Sequence, residues 1–158
     1  VIRRSANHVP SSSAGFSLIE VLIALVVMAV GLLGLGLLQT FNLRYTQSAN
    51  QRTIAVNMAS ELLDTIRTNR SMAASYSMNE SNFSGVTVTK GTGCGTMANL
   101  SAAENITRWR CEVREKLGSD AYAIVQVSAT SVVNVQVFWS DPGNAGDEFS
   151  KVELETVL

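Results

Sequence analysis

The sequence predicts an α+β fold, on three observations. An uncharged apolar run from Val21 to Leu38 leads without a break into an amphipathic helical pattern reaching about Thr68. A second helix is framed by the capping box Ser101-Ala102-Ala103-Glu104 and the natural stop Gly118. Three stretches near the C-terminus then alternate with period two, the pattern of an antiparallel sheet with one buried face. The 158 residues suit one domain with appendages. With the apolar run set aside, about 120 residues remain, enough for one small core. Twelve basic side chains against thirteen acidic ones leave a net charge of -1, which gives no electrostatic footprint for nucleic acid.

Residues 1–15 carry Arg3, Arg4 and His8 with no acid, followed by Pro10-Ser11-Ser12-Ser13. This reads as a short basic leader, kept in the cytoplasm by the positive-inside rule. An ordinary secretory signal has an apolar core of about 7 to 15 residues with small residues at a cleavage site behind it. Here the run is longer, and the small residue Gly15 lies in front of it. Cleavage at Gly15 would remove the leader, leave the hydrophobic segment on the mature chain, and give Phe16 a new α-amine one helical turn from Glu20. A charged residue at the centre of a bilayer helix costs roughly 2.5 to 3.5 kcal/mol, and less near the interface. Glu20 is therefore a candidate functional residue; without the preceding Gly-Phe it would read as an interface marker of a signal anchor.

The stretch Gly15-Phe16-Ser17-Leu18-Ile19-Glu20-Val21-Leu22-Ile23-Ala24-Leu25 resembles the class III signal of type IV pilins and related pseudopilins. The resemblance implies cleavage between Gly15 and Phe16 by a membrane-embedded prepilin peptidase, and N-methylation of Phe16. It also implies that Glu20 is the assembly carboxylate, paired with the N-terminal ammonium of a neighbouring subunit. Such a pair attracts far more strongly in a low-dielectric helix bundle than in water, but both ions lose hydration. Pairing therefore favours register more surely than affinity.

The helix expected from Phe16 to about Thr68 would hold roughly 53 residues and extend about 80 Å. Its first part, residues 16–38, is the transmembrane and assembly segment; about 18 to 20 apolar residues can span a bilayer. Gly31, Gly34 and Gly36 interrupt it, each weakening helix propensity by roughly 1 kcal/mol relative to Ala. They mark either a place of bending or close helix packing through small residues. Many major pilins carry a proline in this stretch, and this chain has none there. In the amphipathic continuation, residues 39–70, Ile54, Met58, Leu62 and Ile66 fall four apart beside Ala55, Ala59 and Leu63. Arg52, Asn57, Glu61, Asp64 and Arg67 face elsewhere, as on a helix laid against a sheet.

Residues 71–158 form the expected globular head. Up to Gly95 the chain is rich in Ser, Gly, Thr, Asn and Met and reads as loop, with one weak strand at Val86-Thr87-Val88. The Asn-x-Ser/Thr triplets at Asn79, Asn82, Asn99 and Asn105 are read as coincidence. In the second helix Ile106, Trp109, Val113 and Leu117 share one face, and Cys111 points about 200° away from Trp109. If the apolar run translocates the head, the two cysteines, Cys94 and Cys111, meet an oxidising compartment. One disulfide is then the simplest outcome, closing a loop of about 17 residues worth roughly 3 kcal/mol; free buried thiols are the alternative. It would staple the Ser/Gly-rich loop to the outer side of the helix. The strands follow: Ala123, Val125, Val127 and Ala129 on one apolar face, Val133, Val135, Val137 and Trp139 on the next, then Val152 and Leu154 between Lys151, Glu153 and Glu155. Asp141-Pro142-Gly143-Asn144 supplies the turn before the last strand.

This order of elements resembles the pilin fold over the whole chain. Within it, the segment Glu61 to Arg70 and the strand end Phe138-Trp139-Ser140-Asp141 resemble PilV-type minor pilins. The implied role is a minor pilin of a priming or tip complex, supporting pilus biogenesis, twitching motility and adhesion. The alternative is a pseudopilin of a type II secretion system, and a third reading is a signal-anchored periplasmic binding or enzymatic domain. Implied partners are the prepilin peptidase, other minor pilins and the major pilin, the inner-membrane assembly platform, and membrane lipid. The implied location is the bacterial inner membrane, with the head in the periplasm, and then the pilus at the cell surface. No catalytic residues, metal site or cofactor are expected. The single histidine, His8, lies in the leader, and two cysteines cannot by themselves build a zinc site. Asp147-Glu148 and Glu153/Glu155 read as solvated carboxylates, and Gly91-Thr92-Gly93-Cys94-Gly95 lacks the lysine of a phosphate loop.

Overall fold

A computed structural model describes residues 15–88, 93–95, 101–141 and 149–158. The leader residues Arg3, Arg4, His8 and Pro10, the pair Gly91-Thr92, Asn99, the turn residues Pro142, Gly143 and Asn144, and Asp147-Glu148 lie outside them. The chain divides into two compact units between Phe41 and Asn42. The element order is α1 (Leu18–Thr68), 3-10 helices at Arg70–Tyr76 and Glu80–Phe83, α2 (Ala102–Leu117), β1 (Tyr122–Val127), β2 (Val132–Trp139) and β3 (Ser150–Val157). The architecture is therefore α+β: a long apolar N-terminal helix, a short second helix and a three-stranded antiparallel sheet ordered β1-β2-β3.

In the first unit the described residues from Gly15 onward are all exposed. Helix α1 begins at Leu18, two residues later than expected, because the Ser17 carbonyl accepts the first helical bonds from the N–H groups of Glu20 and Val21. None of the unit's described residues covers its large apolar side chains, such as Leu33 at 75% exposure.

The second unit holds the core. Ala55, Met58, Ala59, Leu62, Leu63 and Ile66 of α1 are buried there, the stripe that the four-residue spacing anticipates. The sheet supplies the facing layer, where registry stacks Ala123, Val137 and Val152 in one row and Val125, Val135 and Leu154 in the next. Ala129 departs from its expected place: it is exposed in the β1–β2 turn. That turn closes early, with Ser131 at φ 62° and the Ser128 N–H donating to the Val132 carbonyl. On the opposite face Tyr122 stacks on Phe138 at 4.7 Å between ring centroids, and Phe149 meets Tyr122 edge-on at 5.5 Å. Burial, reinforced by the charge of Glu80, holds the Tyr122 phenol above its ordinary pKa.

The segment after α1 is more structured than its composition suggests. Ala73, Tyr76, Met78 and Phe83 reach the core from the two 3-10 helices and the short link between them. Val86-Thr87-Val88 does not form a strand. The free edge of β1 is met instead by Met78, which exchanges backbone hydrogen bonds with Val125. Asn79 and Asn82 act as a reciprocal capping box for the second 3-10 helix.

Helix α2 matches its signals. Ser101 caps its N-terminus reciprocally with Glu104, and Gly118 ends it at φ 117°, a conformation open to glycine. Trp109 is buried and donates its indole N–H to the Met58 carbonyl at 2.9 Å, which ties α2 to the second half of α1. Beside it Arg108, only 8% exposed, donates to Glu61 at 2.8 Å and to Glu112. Lys116 adds a longer contact to Glu112 at 3.6 Å. Glu61, off the apolar stripe as expected, is half-buried and paired. Burial works against the Arg108 charge, but Glu61 and Glu112 outweigh it, and the guanidinium pKa lies above its ordinary value.

Two outcomes follow from these contacts. Arg108→Met strands Glu112 and Glu61 together. The expected loss is about 2 to 3 kcal/mol in urea unfolding, below the 3 to 5 typical of a broken buried pair because Glu61 keeps solvent contact. Adding Glu112→Gln should restore part of it. The second outcome concerns acid. Hydrogen bonds from the Ser101 side chain and backbone hold Glu104 below its ordinary pKa of 4.5, and bonds from Asn134, Lys151 and Gln136 do the same for Glu153. A lowered folded-state pKa contributes stability that is present above the unfolded value and lost as pH falls through the folded one. Unfolding midpoints should therefore drop below pH 4.5, and Ser101→Ala should flatten that drop relative to its own neutral-pH value. An unchanged acid slope in the variant counts against the cap as its source.

Candidate functional site

The residues singled out by sequence at the N-terminus stand on one short stretch. Gly15, Phe16 and Ser17 precede the helix, and Glu20 sits in its first turn. Phe16 is 81% exposed. Phe16 and Glu20 together with Val21, Ala24, Leu25 and Met28 line a shallow groove of about 300 Å³ along the helix. Glu20 supplies the only ionisable group of that lining. Among the described residues its carboxylate has no hydrogen-bond or ion-pair partner within the chain. A carboxylate on an apolar surface needs a cation or water, so the groove is chemically incomplete by itself.

Gly15 adds a second observation of the same kind. A side chain added there meets nothing within 4 Å, and its backbone does not lie in the left-handed region. The fold thus places no demand for glycine at this position. Helix α1 is long and apolar enough to cross a membrane by length and composition, and its most apolar window is wholly unburied.

The cysteines lie in the head. Cys94 and Cys111 are joined by a disulfide with their Cα atoms 5.5 Å apart. Cys111 is half-buried on the side of α2 away from Trp109, and the bridge fastens residues 93–95 to that side. Sequence reasoning did not single out Arg108, Arg110 or the pairing of Arg108 with Glu61. Forty-seven residues separate the paired ions, and periodicity gives the face of a helix without naming its partner. Among the described residues no three His, Cys, Asp or Glu side chains gather as a metal-ligand cluster.

Residues 10–36 match the family described as the prokaryotic N-terminal methylation motif. This match supports a prepilin-type signal of the kind found in type IV pilins and pseudopilins. Neither the curated proteins nor the solved structures show a match to the chain. The motif and the exposed apolar helix together fit membrane anchoring.

For the bridge, Cys111→Ser opens a loop of sequence separation 17. Loop-closure entropy sets the expected loss at about 3 kcal/mol, readable as a lowered thermal midpoint. Intact mass after alkylation should show two modified thiols in reduced protein and none without reductant; a freely alkylated native protein would contradict the bridge.

Proposed function

We propose that the chain is a minor pilin that is built into a type IV pilus through its N-terminal helix. Residues 1–15 are the leader, removed between Gly15 and Phe16 by a prepilin peptidase, after which Phe16 is N-methylated. Residues 16–38 hold the protein in the bacterial inner membrane until assembly, and 39–70 continue the helix into the head. Residues 71–158 complete that head in the periplasm and meet other minor pilins at a priming or tip complex, on the assembly platform and next to the major pilin. The finished filament would serve motility and adhesion at the cell surface. The likeness of Glu61 to Arg70 and of Phe138 to Asp141 to PilV-type proteins supports this placement among minor pilins. The role is structural, with no enzymatic step assigned to the chain.

One observation carries the reading: the methylation motif coincides with a single carboxylate, Glu20, on an apolar helix that the described residues leave uncovered. Cleavage after Gly15 would create a cation on Phe16 of each subunit. The ammonium of one subunit can then neutralise Glu20 of the next, and the surrounding apolar helices make any other register costly. Gly15 is explained as a requirement of the peptidase pocket, since the fold makes none.

The test is paired. Glu20→Ala should be cleaved as efficiently as the parent, with mature Phe16 found by N-terminal sequencing, yet enter filaments at a small fraction of the parental level. Gly15→Leu should remain unprocessed. Normal filament entry by the Glu20 variant, or a native protein that retains Arg3 and Arg4, overturns the proposal. Deletion separates the two filament types: lost surface pili with intact exoprotein secretion fits the pilus, whereas intact pili with failed secretion fits a type II secretion pseudopilus.

A further inference from the structure

Helix α1 stays uncharged and exposed beyond the apolar run that Leu38 closes. From Val21 to Leu43 no side chain carries a charge, a length of about 23 residues against the roughly 20 that cross a hydrocarbon layer. Thr40 does not end that stretch, because its hydroxyl donates to the Gly36 carbonyl at 3.2 Å and so needs no water. Gln39 and Asn42 are polar but uncharged, and the interfacial layer flanking the hydrocarbon accommodates such groups.

Arg44 is the first charged residue after Glu20, and the sequence holds no acid between Glu20 and Glu61. Its guanidinium has no hydrogen-bond or ion-pair partner among the described residues. Every residue from Asn42 to Gln47 is exposed, which is more than a full turn of helix. Leu43 at 72% and Tyr45 at 69% exposure stand about 200° apart around that turn. A partner docking on one face would leave one of them bare, whereas a lipid surround meets both.

The order of side chains is that of a bilayer boundary: an apolar Leu43, then a cation, then a tyrosine with an apolar ring and a polar tip. The phosphate of a lipid headgroup can accept two parallel N–H bonds from the guanidinium fork of Arg44. With no acid between Glu20 and Glu61, this stretch of helix is net positive, which favours a headgroup of net negative charge over a zwitterionic one. Arg52 is also exposed, but it lies two turns further on, about 12 Å along the axis. That exceeds the Debye length of about 8 Å, so the contact falls to Arg44.

We propose that Leu43, Arg44 and Tyr45 form a lipid-binding collar, in which Arg44 holds the phosphate of an anionic phospholipid of the phosphatidylglycerol class. The proposal rests on the membrane reading of α1 given above and carries the embedded stretch from Leu38 on to Leu43.

The test reconstitutes the full chain, at high lipid excess, in vesicles of equimolar phosphatidylcholine and phosphatidylglycerol. Spin labels are placed singly through Leu33→Cys, Leu43→Cys and Thr53→Cys; the native cysteines are bridged and do not react. Relaxation by oxygen against an aqueous nickel chelate should put the Leu33 label in hydrocarbon, the Leu43 label at headgroup level and the Thr53 label in water. Spin-labelled phosphatidylglycerol should be enriched around the unlabelled protein about fivefold over spin-labelled phosphatidylcholine. Arg44→Gln should bring that ratio close to one, Arg44→Lys should keep part of it, and Arg52→Gln should leave it unchanged, all with the parental thermal midpoint. A Leu33 label in water overturns the membrane reading, and the collar with it. A Leu33 label in hydrocarbon with the Leu43 label in water overturns the collar alone. So does a ratio near one in the parent, a ratio that survives Arg44→Gln, or one that falls as far with Arg52→Gln. Spin–spin broadening that puts a second copy at Leu43, or displacement of the lipid by soluble glycerol 3-phosphate, also overturns it.

Discussion

Among the described residues the apolar surface at the start of α1 has no partner, and this constraint governs the rest of the molecule. Full burial of a Val, Leu, Ile, Phe or Met side chain is worth roughly 1.5 to 3 kcal/mol. Phe16, Leu18 and the large apolar residues that follow as far as Leu43 are all exposed. Left in water, such a segment forgoes stabilisation on the order of tens of kcal/mol, more than the net stability of a typical domain. A lipid or protein surround is therefore a physical requirement. A helix satisfies it because all its backbone polar groups bond within the segment. Past Arg44 the same helix changes character: polar residues return, and from Ala55 a narrow stripe is buried in the core.

The head is small, and its stability rests on a few contacts that join distant parts of the sequence. Trp109 is the clearest, since its ring lies in the core, meets Phe83 edge-on at 6.5 Å, and bonds the Met58 carbonyl. It thereby links α1, the second 3-10 helix and α2 through one side chain. Arg108 stands next to it in sequence and reaches Glu61 of α1. The indole satisfies its polar atom within an apolar contact, while the guanidinium brings a charge that must be matched by carboxylates. Both fix the same pair of helices, and the ion pair adds directionality that apolar packing lacks.

How much of this was legible in the sequence depended on whether the signal was local. The capping box at Ser101 and the stop at Gly118 bracket α2 to the residue, because both act through bonds within one turn. Period-two alternation identified the buried faces of β1 and β2 for an equally local reason. It overran at Ala129, where small size mimics an inward-facing residue in a turn. Residues 71–83 read as loop because 3-10 helices are short and polar enough to resemble it, while Tyr76 and Phe83 lie too far apart to set up a period. Val86-Thr87-Val88 had the composition of a strand, but the β1 edge beside Val125 is taken by Met78. The ion pair of Arg108 with Glu61 needed tertiary placement that no spacing encodes. At the N-terminus the motif itself was readable, because a glycine, an apolar run and a lone acid are all contiguous.

Glycine in the first unit gives a final step. Gly31, Gly34 and Gly36 lie inside α1, where each lowers helix stability by roughly 1 kcal/mol relative to Ala. A side chain added at any of the three meets nothing within 4 Å, so no close approach among the described residues offsets that cost. The same is true of Gly15. In the head, by contrast, Gly85, Gly93, Gly95 and Gly118 all have positive φ, where a side chain would be strained. The two groups therefore differ: the head's glycines answer to their own backbone, whereas nothing among the described residues calls for those of the N-terminal unit. On the proposed reading the reasons lie in other molecules, in a peptidase that must approach the backbone at Gly15 and in neighbouring helices that pack closely over Gly31 to Gly36.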